Sequence, residues 1–148
     1  MFATGVAIMT TRAADGSPVG LTVNSFASVS LDPPLVLWSL SRKSGSLPAF
    51  RQATHYAILV LAVEQKALAE CFAKSGVDRW QGLPITAGVG DVPLLPDCAA
   101  TFECQSHAQH EAGDHIILVG EVQRVTLRQQ ARPLLFHGSR FYTEHPLG

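Results

Sequence analysis

Charge is scarce in this chain of 148 residues. Asp, Glu, Lys and Arg together make up 16% of it, and the formal net charge is −1. No run of Lys or Arg occurs, so a basic patch for nucleic acid is not expected. No apolar run approaches the roughly 20 residues that would span a bilayer, and the opening MFATGVAIMTT has no signal-peptide pattern. We therefore expect neither a nucleic-acid partner nor a membrane partner.

Cysteine is also scarce. Cys71, Cys98 and Cys104 are odd in number and widely spaced, which argues against a disulfide framework and indicates a reduced, cytoplasmic protein. The sequence contains no CxxC, HExxH or GxSxG motif, so neither a zinc site nor serine-hydrolase chemistry is expected. His107 and His110 are three residues apart, but that spacing gives a shared face only on a helix, and we predict strand and loop there.

What the chain has in quantity is apolar residues, at 47%. This composition excludes disorder, and the length fits a single domain over residues 1–148. A monomer of this size normally displays more Lys and Glu, so the low charge favours an oligomer with an apolar contact.

The hydrophobic pattern predicts a mainly β fold with two short helices. Strands are predicted at 5–12, 20–30, 35–41, 56–63, 99–110, 114–127 and 133–142; helices at 47–53, with Ser46 as N-cap, and at 64–74; and a mostly irregular segment at 75–97. Asp15-Gly16 marks a hairpin turn between the first two strands. Because hairpins outnumber helical crossovers, an antiparallel barrel or sandwich is favoured over a parallel sheet.

The stretch LTVNSFASVSLDPP, residues 21–34, alternates like a strand, but all its polar positions before the Asp-Pro-Pro are short hydrogen-bonding side chains. They are Thr22, Asn24, Ser25, Ser28 and Ser30. They could belong to an edge strand whose small groups tolerate solvent. They could instead line a slot for a planar heterocycle, because short side chains let a flat ligand approach the backbone and also offer donors and acceptors. The double proline would end such a wall.

A second polar segment, SRKSGS at 41–46, follows a buried strand and precedes a predicted helix. It could be a solvated loop. Its serine hydroxyls, its Arg42 and Lys43 charges and the neighbouring helix start would also suit a phosphate. A third segment, Gly113-Asp114-His115, opens a strand. Its histidine could be structural, or it could be oriented by Asp114 to stack on or donate to a ligand.

Taken together, these segments resemble the flavin reductase-like family, the short-chain NAD(P)H:flavin oxidoreductases that supply reduced flavin to two-component monooxygenases. The matching segments are FATGVAIMTT, DGSPVGLTVNSFASVSLDPPLVLWSLSRKSGSLPAF and GDHIILVGEV. The similarity covers almost the whole chain, and the central segment is its specific part. The resemblance implies an antiparallel FMN-binding split β-barrel that forms a homodimer, with flavin near the subunit interface.

The resemblance also implies roles for particular residues. The flavin ring and ribityl chain would lie against Thr22, Val23, Asn24, Ser25, Phe26, Ser28 and Val29. The phosphate loop would be Ser41, Arg42, Lys43, Ser44 and Ser46, and Phe141 and Tyr142 would lie near the flavin or the nicotinamide. His115 matches the family's nicotinamide-side histidine and would hold the nicotinamide rather than act as an acid.

The implied activity is hydride transfer from NADH or NADPH to FMN, or to FAD, with the reduced flavin passed to a partner monooxygenase. We find no Arg cluster for a 2′-phosphate, which favours NADH. Two alternatives remain at this point: a flavin-binding electron carrier or store without reductase activity, and a barrel domain with no cofactor.

Overall fold

Strands dominate the computed structural model, which describes residues 2–148. They are β1 (Thr4–Gly5), β2 (Ala7–Arg12), β3 (Pro18–Val23), β4 (Ala27–Leu31), β5 (Pro34–Ser41), β6 (His55–Val60), β7 (Thr86–Ala87), β8 (Pro93–Leu94), β9 (Ala100–Ala112), β10 (His115–Leu127), β11 (Leu135–His137) and β12 (Arg140–Tyr142). The helices are α1 (Leu47–Gln52) and α2 (Lys66–Phe72), with 3₁₀ turns at Val63–Gln65 and Val89–Asp91. The predicted mainly β, antiparallel class with two short helices is confirmed. Over residues 2–148, neither helix has the length and apolar character needed to cross a membrane.

Seven strands form one antiparallel sheet in the order β3-β2-β6-β9-β10-β5-β4. The two outermost strands, β3 and β4, are separated in sequence only by residues 24–26. In a flat sheet, six strand spacings would place these edges about 29 Å apart. Four residue steps can span at most about 14 Å. The sheet is therefore rolled, so that its two edges approach each other.

The rolled sheet encloses one apolar core. Trp38, Phe50 and Tyr56 meet edge to face there, with ring centroids 4.9 Å apart for Trp38–Phe50 and 5.7 Å apart for Trp38–Tyr56. Leu21 of β3 and Leu40 of β5 pack into the same cluster, although these strands belong to opposite ends of the sheet. The side chains of both ends thus stabilise the rolled form.

A second core covers the outside of β2 and β6. Side chains alternate along β2, so Ile8 faces this outer layer while Met9 faces the inner core. Helix α2 buries Ala69 and Phe72 in the outer layer, so it is amphipathic as predicted, although Ala69 was not part of the expected apolar face. The small sheet β1-β11-β12 borders the same layer.

The predicted Asp15-Gly16 turn is confirmed. Gly16 has φ +86°, and the main chain closes the turn with a bond from the Ala13 amide to the Ser17 carbonyl at 2.9 Å. The Asp15 carboxylate accepts hydrogen bonds from the hydroxyl and amide of Ser17, and these bonds lower the pKa of Asp15.

Two predicted strands are wrong as single elements. The strand expected at 20–30 is divided into β3 and β4, and at the break the Ser25 side chain bonds to the main chain of Ser39 in place of a strand ladder. The strand expected at 133–142 is the hairpin β11–β12, because Gly138 and Ser139 turn the chain with φ of 57° and 64°.

The other differences are smaller. Ser46 is the N-cap residue of α1, as predicted, but its side chain makes no capping hydrogen bond. The helix expected at 64–74 is the shorter α2, preceded by the turn Val63–Gln65. The segment 75–97 is mostly irregular, as predicted, apart from the short pair β7–β8.

Candidate flavin site

A cavity of about 480 Å³ lies between β3 and the loop that follows β5. Residues 18–21 of β3 form one side and residues 43–46 form another. A third side comes from residues 74–80, directly after α2. Because β3 is an edge strand, the cavity lies at the opening of the rolled sheet.

Three of the five predicted phosphate-loop residues line this cavity, and two do not. Lys43, Ser44 and Ser46 line it. Ser41 instead shapes the turn, because its Oγ accepts a hydrogen bond from the Lys43 amide at 3.2 Å. Arg42, the fifth predicted residue, also does not line the cavity.

Arg42 reaches the β9–β10 hairpin. Its Nε donates to the Gly113 carbonyl at 2.7 Å, and its Nη2 forms an ion pair with the Glu111 carboxylate. Arg51 of α1 joins the same carboxylate at 3.1 Å. Arg42 therefore ties the loop to the hairpin, while its neighbour Lys43 lines the cavity.

Residues 74–80, which we call the strap, were not predicted as part of the site, and neither were residues 18–21 of β3. Trp80 packs edge to face on Phe72 of α2, with ring centroids 4.9 Å apart. Both rings lie over Gly20, where an added Cβ would stand 2.9 Å from each ring, so this position requires glycine. The signal available in the sequence was Trp80 directly after Arg79, in a segment that also carries Lys74.

The cavity is electropositive. Its lining includes the cations Lys43, Lys74 and Arg79. Asp78 also lines it, but its carboxylate accepts a hydrogen bond from the Trp80 amide at 3.1 Å. Cations from two separate segments, with serine hydroxyls between them, are a donor set that suits a phosphate group.

A second cavity, of about 230 Å³, lies further along β3. It brings together four predicted residues, Thr22, Val23, Asn24 and Phe141, with Ala73 after α2. Its lining is mostly apolar. The Thr22 Oγ1 donates to the Ala69 carbonyl at 2.7 Å, and Phe141 packs on Phe136 with ring centroids 5.3 Å apart.

The two cavities border the same strand in succession, at 18–21 and at 22–24. Six residue steps of β-strand cover about 20 Å. A cationic cavity and an apolar cavity along one strand match the two ends of a flavin mononucleotide, which carries a phosphate at one end and an apolar tricyclic ring at the other. The side chains present therefore fit such a group.

Of the residues predicted at 22–29 and 141–142, five lie outside both cavities. The Ser25 hydroxyl is engaged by the main chain of Ser39, and Phe26 packs on Phe102 with ring centroids 5.3 Å apart. Ser28 and Val29 are exposed on β4, at the other edge of the sheet. Tyr142 also lies outside them, exposed and beside His137.

His115 is the first residue of β10 and lies opposite Ser41 in the strand register, at the base of the phosphate loop. Its Nδ1 is 2.8 Å from Oδ1 of Asp114, so the carboxylate orients the ring as the sequence suggested. This hydrogen bond and the charge of the imidazole lower the pKa of Asp114. Across residues 2–148, no three His, Cys, Asp or Glu side chains converge as metal ligands would.

Comparison with known proteins decides the family. Residues 1–145 match the model of the flavin reductase like domain. The chain belongs to the flavin reductase-like family. It is 48% identical over 140 residues to the FMN reductase (NADH) SmoA of Agrobacterium fabrum, which covers 95% of this chain and 79% of that protein.

Other members of the flavin reductase-like family give the same result. The chain is 43% identical over 125 residues to the reductase component of the flavin-dependent trigonelline monooxygenase of Acinetobacter baylyi; this match covers 84% of the chain but spans 40% of that relative. Among solved structures, an NADH:FAD oxidoreductase of Streptomyces globisporus, in complex with NAD and FAD fragments, superposes with a TM-score of 0.91. It is 35% identical, over 99% of this chain and 88% of that one.

Proposed function

We propose that this protein is an NADH-dependent flavin reductase that reduces FMN and supplies it to a partner monooxygenase. The observation that carries the proposal is the electropositive cavity of about 480 Å³ beside β3, with Lys43 and Lys74 in its lining. Support comes from relatives named as an FMN reductase that uses NADH and as the reductase component of a monooxygenase. FAD shares the same ring and first phosphate, so it is a second substrate to be tested.

In this proposal the phosphate is bound by Lys43, Ser44, Ser46 and Lys74. The ring end lies along Thr22, Val23 and Asn24, towards Phe141, in the adjoining apolar cavity. The bound flavin would supply the redox chemistry by accepting a hydride from the nicotinamide. His115, oriented by Asp114, would hold the nicotinamide.

We also infer a homodimer of split β-barrels. On the outer face of the sheet, Leu37 lies directly opposite Val119, and Ile117 lies next along the same side of β10; all three side chains are only half-buried. The main contacts of β5 and β10 are with neighbouring strands rather than with a covering helix. A second copy of the chain would remove this apolar face from water.

Light scattering after gel filtration tests the dimer. Val119→Glu places a charge on the apolar face and should give a monomer. Gln123→Glu, an exposed position on the same strand, should leave the dimer intact.

The three cysteines are free thiols, which supports a reducing compartment, and we propose the cytoplasm.

Two assays test the activity. Titration with FMN, followed by flavin fluorescence, measures binding, and NADH oxidation in the presence of FMN measures reduction. We expect saturable FMN binding and FMN-dependent NADH consumption. FMN binding without consumption of either nicotinamide would instead establish an electron carrier or store, and no response to any flavin would indicate a domain without a cofactor.

A further inference from the structure

The strap, residues 74–80, is attached to the rest of the protein through Arg79. Residues 74–78 are exposed, and Gly76 turns the chain with φ +74°. The Arg79 guanidinium donates from Nη1 to the Gly20 carbonyl at 2.6 Å and from Nε to the Lys74 carbonyl at 2.9 Å. The Asp78 carboxylate, by contrast, accepts a hydrogen bond from within the strap, from the Trp80 amide.

The two carbonyls that Arg79 contacts belong to different elements. Gly20 is part of β3, which forms one side of the electropositive cavity, and Lys74 follows the end of α2. The planar guanidinium therefore fixes the end of α2 to the sheet across the base of the strap. A lysine has one compact donor group on a flexible stem and could not hold both carbonyls in this fixed geometry.

This attachment sets the position of a second cation. Since the main chain of Lys74 is held by Arg79, the Lys74 side chain is presented from the strap, while Lys43 is presented from the loop after β5. Lys43 and Lys74 thus line the same cavity from separate segments. Both hydrogen bonds of Arg79 go to backbone carbonyls, so this side chain fixes the position of the main chain at Gly20 and Lys74.

We propose that Arg79 is a positioning residue for phosphate recognition: it holds Lys74 so that this side chain and Lys43 contact the flavin phosphate from two sides. The proposal rests on the proposed function and adds the residue that makes FMN preferred over riboflavin, which has the same ring and no phosphate. In this proposal Arg79 acts through Lys74 rather than through its own contact with the flavin.

Affinities for FMN and riboflavin test this proposal. Arg79→Lys and Arg79→Gln should each weaken FMN binding by about tenfold, the effect of losing one charge-assisted hydrogen bond. Riboflavin binding should change by less than about twofold, because the ring end lies along β3. Arg132→Lys is the matched control, since Arg132 also donates to a backbone carbonyl, that of Glu144 at 2.9 Å, and it does not line the cavity.

Two further measurements separate positioning from a general loss of stability. Trypsin should cut after Lys74 faster in Arg79→Gln than in the wild type, because the strap is released. In a double-mutant cycle, Arg79→Gln combined with Lys74→Gln should weaken FMN binding no more than Lys74→Gln alone, since one residue acts through the other. Thermal denaturation checks that each variant is folded.

Each outcome decides the proposal. Additive losses in the cycle, or a full preference for FMN in Arg79→Lys, would overturn the positioning role and leave the proposed function standing. Equal affinity of the wild-type protein for FMN and riboflavin would overturn phosphate recognition at this cavity, and the positioning role with it.

Discussion

The side chain of Ser25 forms two hydrogen bonds with the main chain of Ser39. The Ser39 amide donates to Oγ of Ser25 at 3.0 Å, and the Ser25 hydroxyl donates to the Ser39 carbonyl at 3.2 Å. A side chain here satisfies both main-chain groups of a strand residue, at the place where the chain crosses from one edge of the sheet to the other. One serine of the polar stretch that suggested a ligand wall is thus used to hold the rolled sheet together.

This relationship predicts a stability effect. Ser25→Ala leaves a half-buried amide and carbonyl without partners, so the free energy of unfolding should fall by about 1–3 kcal/mol. Urea denaturation measures it. Ser28→Ala, at an exposed position of β4, should change the free energy of unfolding by less than about 0.5 kcal/mol. Equal effects of the two substitutions would contradict this role of Ser25.

Two adjacent cations should behave differently. Lys43 lines the electropositive cavity, whereas Arg42 is bound to Glu111 and Gly113. Lys43→Gln should weaken FMN binding by about fivefold, with a smaller effect in high salt, because a charged contact to phosphate is lost. Arg42→Gln should leave the ratio of FMN to riboflavin affinity unchanged. Fluorescence titration of both flavins measures these ratios, and a larger effect of Arg42→Gln would reverse the assignment.

His115 should affect the nicotinamide rather than the flavin. If His115 holds NADH, His115→Ala should raise the KM for NADH by about three- to tenfold while the Kd for FMN stays the same. Asp114→Asn should cause a smaller change in the same direction, because it removes the carboxylate that orients the ring. Steady-state kinetics at saturating FMN measures both. An altered FMN affinity in His115→Ala would instead place this histidine at the flavin.

The buried thiol of Cys104 predicts a loss of stability at high pH. Burial, and secondarily the charge of Glu103, raises the pKa of Cys104 to about 12, from an ordinary value of about 9. Above pH 9 the unfolded chain loses this proton while the folded protein keeps it, so stability present at neutral pH should fall as the pH rises from about 9 to about 12. The slope is at most about 1.4 kcal/mol per pH unit for one group.

Urea denaturation at a series of alkaline pH values measures this slope. Burial also raises the pKa of Tyr56, so part of the loss should remain in Cys104→Ala. The slope of that variant should nevertheless be shallower than the slope of the wild type. Identical slopes would show that Cys104 ionises at the same pH in both states.

The fold class could be predicted from the sequence because it follows from local patterns of residues. The Asp15-Gly16 turn, the apolar run of β5 and the amphipathic face of α2 each depend on nearby residues. The division of 20–30 could not be predicted, because a continuous alternating pattern conceals a crossing whose stabilising partner, Ser39, lies in another strand.

The candidate site was predicted unevenly for a similar reason. Lys43 and Ser44 lie in a compact polar loop, so their chemistry is visible in the sequence. The strap depends on the contact between Arg79 and Gly20, which are 59 residues apart, and no local pattern indicates that contact. The roles of Gly20 and Arg79 can be identified only in the folded structure, where Phe72 and Trp80 pack together over Gly20.

The short crossing at residues 24–26 has a consequence for engineering this chain. It connects the two ends of the seven-stranded sheet covalently, and the hydrogen bonds between Ser25 and Ser39 stabilise it. New termini introduced at the Asp15-Gly16 loop should be tolerated, because the β2–β3 ladder keeps both ends in place. Opening the chain at 24–26 would remove the covalent link between the outermost strands. In a circular permutant made there, β3 and β4 should therefore separate from each other.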